Sequence, residues 1–337
     1  MKAFLLDRYG KGRPLRMADI PVPELRDHEV LVRVDAASVN VLDAKIRQGA
    51  FKLILPYRLP IVLGHDVAGK VVKTGAAVRS VEVGDEVYAK LDDLRIGAFA
   101  AFAPVRESSL APKPKGLTMT QAASLPLVAL TAWQALVERA KLAKGQKIFI
   151  QAGSGGVGTV AIQLAKRLGA TVATTASAAN HSLVKRLGAD IVIDYRTEDF
   201  ESILRDQDVV LHSQDAATLA KSLRVLKRGG QLISISGPPD PAFGQAIGAP
   251  LPVRVALRLL SMSARRQAAR LGVHYSFLFM RASGEQLREI SALIETGHIR
   301  PVIDREFSFE ATNEALAYVE SGRSKGKVVI QGQPEKT

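Results

Sequence analysis

Residues 148–158 read Ile148-Phe149-Ile150-Gln151-Ala152-Gly153-Ser154-Gly155-Gly156-Val157-Gly158. A short apolar run with β-branched residues enters a glycine cluster. An amphipathic run over 159–168 leaves it and stops at Gly169. That pattern is strand, tight turn and helix. Gly153, Gly155 and Gly158 fit G-x-G-x-x-G in the context that the fingerprint requires. Gly153 permits the turn, Gly155 lets backbone approach a pyrophosphate, and Gly158 lets the helix pack close to the strand. The helix N-terminus offers free N–H groups and a positive dipole end. Ser154, Gly156 and Val157 complete this predicted phosphate loop. A glycine-rich turn with no ligand is the bland alternative, and the surrounding pattern argues against it.

Six stretches read as strands: 147–152, 171–176, 191–195, 208–213, 231–236 and 273–279. Helical pattern falls over 156–168, 180–187 and 216–227. Such alternation predicts an α/β fold with a doubly wound, six-stranded parallel sheet and right-handed crossovers. Helices are expected at 121–124 and 127–140. Residues 252–271 read as one amphipathic helix, with Val253, Leu257, Leu260, Ala264 and Leu271 on its apolar side. Arg254, Arg258 and Arg265 fall opposite, flanked by Arg266 and Arg270.

The first 118 residues read differently. Short strands are predicted at 1–6, 29–36, 66–73 (interrupted at Gly69), 86–90, 98–104 and 107–111, with a proline-rich loop over 10–27. A helix over 40–48 closes at Gly49. These features predict a small barrel-like β domain. The tail carries helices at 284–296 and 313–320 and a last strand at 326–331.

A chain of 337 residues allows two domains. It contains no cysteine, which excludes disulfides, thiolate zinc sites and cysteine nucleophiles. The net charge of +13 is spread along the chain, and no nucleic-acid recognition motif is visible. Solubility plus a phosphate-rich cofactor accounts for it. No apolar run is long enough to span a bilayer. Asp7 comes too early for a signal peptide, so a cytoplasmic location is expected.

Several motifs in order resemble the medium-chain dehydrogenase/reductase superfamily, and most of all its zinc-free quinone oxidoreductase and alkenal (enone) reductase branch. They are Ser38-Val39-Asn40-Val41-Leu42-Asp43, Gly64-His65-Asp66-Val67-Ala68-Gly69, Val83-Gly84-Asp85-Glu86-Val87, Ala122-Ala123-Ser124-Leu125-Pro126, Leu130-Thr131-Ala132-Trp133, the glycine loop, Gly188-Ala189-Asp190 and Gly326-Lys327-Val328-Val329. The resemblance implies a GroES-like β domain over 1–118, a Rossmann NADP-binding domain over 119–281, and a return to the GroES-like domain over 282–337. It also implies a homodimer formed by edge-to-edge pairing of the sixth strands. His65 matches a zinc ligand of the alcohol dehydrogenases, but the cysteine ligands are missing, so no metal is expected. His65 is then a packing or pocket residue.

NAD-specific sites place an acid about 20 residues past the glycines. No Asp or Glu occurs between Gly158 and Asp190. Thr175, Ser177 and Asn180 therefore predict NADPH, since hydroxyl and amide groups accept a 2′-phosphate that an acid repels. Lys185 and Arg186 read as a solvated helix face. The resemblance adds Tyr195 at the adenosine end. It also places Thr131, Ser236, Gly237, Leu278 and Phe279 near the nicotinamide. Its Asn-x-x-Asp-x-Lys pattern falls on Asn40, Asp43 and Lys45. Lys45 is implied as the donor that polarises the acceptor oxygen, and Asn40 as a ribose or substrate contact; Asp43 reads as a helix-start or ion-pair residue.

The expected activity is NADPH-dependent reduction of quinones or α,β-unsaturated carbonyls. Two segments depart from the family pattern, Phe99-Ala100-Ala101-Phe102 and His212-Ser213-Gln214-Asp215-Ala216. They keep open a cofactor-binding protein without turnover. A trans-enoyl-thioester reductase is a third reading. The arginines of 252–271 admit a minor one, contact with an anionic membrane.

Overall fold

The computed structural model describes residues 1–52 and 54–333. The chain forms two compact units, one of residues 1–130 with 281–337 and the other of residues 131–280.

The first unit is built on strands β1 (Lys2–Leu6), β2 (Arg16–Asp19), β3 (Glu29–Val39), β4 (Ile61–Val62), β5 (Asp66–Thr74), β6 (Glu86–Lys90), β7 (Phe102–Arg106) and β8 (Leu110–Pro112). Helix α1 (Val41–Gln48) follows β3, and α2 (Met119–Ala123) and α3 (Pro126–Trp133) lead out of the unit. The chain returns as α11 (Gly284–Glu295), β15 (Ile303–Phe307), α12 (Thr312–Glu320) and β16 (Lys327–Gln331). Strand β3 is the hub. It pairs antiparallel with β5, β7 and β16, so the last strand of the chain lies against the start of α1. Strand β5 runs through Gly69 without a break. A Cβ there would lie 1.8 Å from the Arg33 carbonyl oxygen, so glycine lets β3 come close.

The second unit holds a parallel six-stranded sheet. Its strands are β9 (Lys147–Ile150), β10 (Thr171–Thr175), β11 (Ile191–Ile193), β12 (Gln207–His212), β13 (Leu226–Ser234) and β14 (His274–Phe277), in the order β11-β10-β9-β12-β13-β14. The order reverses between β9 and β12, the switch point where doubly wound sheets bind ligands. Its helices are α4 (Gly156–Arg167), α5 (His181–Arg186), α6 (Phe200–Ile203), α7 (Ala216–Arg224), α8 (Pro241–Ala246), α9 (Leu251–Leu260) and α10 (Met262–Leu271). Phe149, Val210, Leu223 and Leu232 lie in its core with Ala264 and Ala268.

Several expectations change. The single helix over 252–271 is two, divided at Ser261, whose buried hydroxyl turns back onto the Leu257 carbonyl at 2.9 Å. Leu257, Ala264 and Ala268 are buried, but Leu260 is 62% exposed, so the expected apolar side does not all face inward. Residues 107–109 form a helical turn before β8. Residues 98–101 run beside β1, and β7 begins only at Phe102. The proline-rich 10–27 stretch contains β2, while α6 and α8 were not anticipated. The helix expected over 127–140 continues past α3 as a wider turn, closed by the Ala140 amide on the Ala135 carbonyl. Residues 119–130 group with the first unit rather than the second. There α2 buries Ala122 and Ala123, and the Leu127 amide donates to Asp66 at 2.9 Å.

Candidate functional site

In the second unit the glycine loop follows β9 as expected. Ala152 has φ 51°, a strained value for a residue with a Cβ, and it turns the chain out of the sheet. Two bonds from Thr175 hold that turn. Its hydroxyl accepts from the Ala152 amide at 3.0 Å, and its carbonyl accepts from the Gly153 amide at 2.9 Å. Thr175 thus anchors the loop. A Cβ on Gly153 would meet the Thr174 hydroxyl at 2.1 Å, and one on Gly158 the Ala152 carbonyl oxygen at 2.3 Å. On Gly155 the nearest atom would be 3.3 Å away, so packing alone does not demand glycine there. Gly155 caps α4 without a side-chain bond, and the first-turn amides of Gly156, Val157 and Gly158 have no intrahelical acceptor. This is a cradle for an anion.

The residues expected at the 2′-phosphate converge. The Asn180 amide lies 3.2 Å from the Ser154 hydroxyl and 3.3 Å from that of Ser177. A carboxylate close by, Asp194, accepts from the backbone amides of Ala178 at 3.0 Å and Arg196 at 3.0 Å. Lys185 and Arg186 are exposed in the last turn of α5, remote along the helix from Ser177. Tyr195 is 59% exposed. The Arg196 guanidinium lies 5.8 Å from its ring, a cation that the sequence reading passed over.

At the carboxyl ends of β12, β13 and β14 a second polar cluster forms. His212 Nδ1 sits 2.8 Å from the Ser234 hydroxyl and Nε2 3.1 Å from the Asp215 carbonyl. Burial holds this imidazole neutral, with its pKa lowered to about 4. Ser236 donates to the Gln214 carbonyl at 2.6 Å, and the Gly237 amide donates to the Ser234 hydroxyl at 2.7 Å. The divergent His212-Ser213-Gln214 segment is therefore stitched to β13. The Leu278 amide donates to the Ser234 carbonyl at 2.8 Å, and the Phe279 ring packs tilted against Phe243 with centroids 5.7 Å apart. Thr131 is buried in α3.

The first unit holds a buried ionic cluster. Asp66 accepts from Ser38 at 2.8 Å, Asn40 at 2.9 Å and the Leu127 amide at 2.9 Å. The Lys327 ammonium stands 3.5 Å from Asp66 and donates to the Asn40 amide oxygen at 2.5 Å. Burial pushes the Lys327 pKa down, while Asp66 and Asp43 pull it up. Asp43 does both things foreseen for it: it accepts from the Asn40 amide at 2.8 Å at the start of α1, and it pairs with His65 Nδ1 at 2.5 Å. His65 is fully buried and its Nε2 has no hydrogen-bond partner. The Asn40 side chain is spent inside this cluster. Lys45, half-buried in the last turn of α1, carries an ammonium with no described side-chain partner.

Residues 26–115 match the alcohol dehydrogenase GroES-like domain, and residues 187–330 match the family described as zinc-binding dehydrogenase. The NADPH-dependent alkenal/one oxidoreductase of Arabidopsis thaliana chloroplasts is 37% identical, over 99% of this chain and 80% of that protein. The 2-methylene-furan-3-one reductase of Solanum lycopersicum is 36% identical, over 99% and 80%. The solved quinone oxidoreductase of Coxiella burnetii superposes with a TM-score of 0.86 at 31% identity, over 99% of each chain.

Zinc does not fit the residues present. Asp43 holds His65 Nδ1 and leaves only Nε2 to a metal, while Asp66 is satisfied by three donors and faces an ammonium. Among the described residues no group of three or more His, Asp or Glu side chains could hold a metal. A dinucleotide does fit, since the glycine loop leaves room where a Cβ at Gly155 would stand.

Proposed function

The chain belongs to the medium-chain dehydrogenase/reductase superfamily, and we propose that it is a zinc-independent oxidoreductase that uses NADPH to reduce quinones or the C=C bond of α,β-unsaturated carbonyls. The observation that carries the cofactor is the neutral Ser154, Ser177 and Asn180 group beside an anion-binding helix start. The relatives named for NADPH, alkenals and quinones support the reaction class.

When bound, the cofactor supplies the hydride. The protein's part is to hold and orient it. The first-turn amides of α4 would receive the pyrophosphate, and Ser177 and Asn180 would hold the 2′-phosphate. Ser236, Gly237, Leu278 and Phe279 border the nicotinamide end. Lys45 donates to the acceptor oxygen as negative charge develops there. Asn40 acts indirectly, by tying the start of α1 to Asp66 and Lys327. Steady-state assays with NADPH, NADH and a panel of quinones and enones test this reading. Turnover of at least one acceptor with a preference for NADPH is expected. Tight NADPH binding without turnover of any acceptor would favour a cofactor-binding protein instead.

The reading includes assembly as a homodimer. Strand β14 lies at the sheet edge, rich in residues that favour strands, and pairing with a second copy would satisfy its free side. Sedimentation that finds only monomer at micromolar concentration would refute it.

A further inference from the structure

Helix α9 turns its apolar side outward. Leu251 is 69% exposed, Val255 49%, Leu259 60% and Leu260 62%. Leu251, Val255 and Leu259 stand at four-residue intervals and so form one stripe along the helix, with Leu260 beside it. Leu257 alone on this helix is buried, against α8, where it would meet a Cβ on Gly244 at 2.9 Å. A soluble helix ordinarily shows the reverse arrangement.

The charge along this stretch of chain is of one sign. No Asp or Glu occurs from Pro241 to Gly284. Over the same stretch α9 and α10 carry Arg254, Arg258, Arg265, Arg266 and Arg270. None of these five forms an ion pair among the described residues. Arg265 bonds only to the Ser261 hydroxyl at 3.2 Å and the Arg258 carbonyl at 3.1 Å. Arg254 and Arg258 flank the leucine stripe along one side.

We propose that α9 is an interfacial helix that docks this protein on an anionic lipid surface, with its leucine stripe in the acyl boundary and the arginines of α9 and α10 among the headgroup phosphates. The unpaired arginines favour lipid over a second copy of the chain. A copy docked on the same face would set unpaired arginines against arginines. Lipid also matches the pattern, because the exposed side chains form an apolar stripe with a cationic edge, the arrangement of in-plane helices. No helix of the described residues is long and apolar enough to cross a membrane, so this contact is peripheral. The inference rests on the second unit's surface and stands apart from the redox reading.

Co-sedimentation of the full chain with vesicles tests it. Binding to phosphatidylcholine/phosphatidylglycerol vesicles and none to pure phosphatidylcholine is expected, weakening as salt rises. Each arginine near an anionic surface contributes about fivefold in affinity. The double variant Arg254→Gln/Arg258→Gln should therefore bind more weakly by on the order of twentyfold. Val255→Glu/Leu259→Glu should abolish binding. All four side chains are exposed, and unchanged NADPH affinity in both variants confirms that the fold is intact. Absence of binding to anionic vesicles would overturn the proposal. So would binding that both variants retain, or a glutamate variant whose sole effect is to dissociate an oligomer.

Discussion

Two alanine substitutions a few residues apart should separate folding from cofactor binding. At Gly158 a Cβ would meet only backbone: the Ala152 carbonyl oxygen at 2.3 Å and the Gly153 Cα at 2.7 Å. Nothing there can rotate away, so the start of α4 must move off the loop by about 1 Å to restore an ordinary carbon–oxygen contact of about 3.3 Å. Forcing atoms into a packed site costs about 1–3 kcal/mol. Alanine returns about 1 kcal/mol through its better helix propensity, leaving a net loss of about 2 kcal/mol at the upper end. At Gly155 the backbone has φ −80°, which any residue accepts, and the nearest atom is 3.3 Å away. Gly155→Ala should therefore change stability by about 0.5 kcal/mol or less. Its methyl group stands, however, where a pyrophosphate must approach the amides. Loss of a charge-assisted hydrogen bond there is worth ~1.5–3 kcal/mol, ten- to a hundredfold in NADPH affinity. Urea denaturation of the apoprotein and fluorescence titration with NADPH measure the two effects. A Gly158→Ala protein more stable than wild type, or a Gly155→Ala protein that binds NADPH equally well, would count against these assignments.

Ser177→Asp with Asn180→Asp should weaken NADPH by roughly ten- to a hundredfold and leave NADH nearly unaffected; equal wild-type affinity for the two cofactors would contradict this. His212 makes stability depend on pH. Its pKa is about 4 in the fold against 6.5 for the free side chain, so the unfolded chain takes up its proton first as pH falls. The stabilisation is complete above pH 6.5 and is lost progressively towards pH 4. It totals about 3 kcal/mol, and His212→Gln should flatten that part of the profile in urea melts. Lys327→Met leaves Asp66 buried without its cation and should cost about 3–5 kcal/mol, read as a lowered thermal midpoint.

The cofactor loop was legible because its logic is local. Gly153, Gly155 and Gly158 sit within one strand–turn–helix unit, and the missing acid beyond them needs no partner to be noticed. Ser154, Ser177 and Asn180 converge because their strands are neighbours in a sheet whose order the alternation of strands and helices implies. The ionic cluster of the first unit was not legible in this way. Lys327 and Asn40 are 287 residues apart, and only the pairing of β16 with β3 brings them together. The role read into Asn40 came from resemblance, whereas its amide is consumed by Asp66 and Lys327. The outward stripe of α9 escaped for another reason. Periodicity shows that a helix has an apolar side and does not show which way that side faces. The break at Ser261, where the hydroxyl folds onto the Leu257 carbonyl, has no signature in the spacing of apolar residues either.

A single-turnover experiment asks whether this protein transfers hydride without a metal. The protein is loaded with NADPH carrying deuterium at the transferred position and mixed rapidly with an enone or a quinone. Oxidation of the bound cofactor with a primary isotope effect is expected, with no loss of rate after exhaustive treatment with a metal chelator. Bound NADPH that stays reduced in the presence of every acceptor, or oxidation that chelation abolishes, would contradict it.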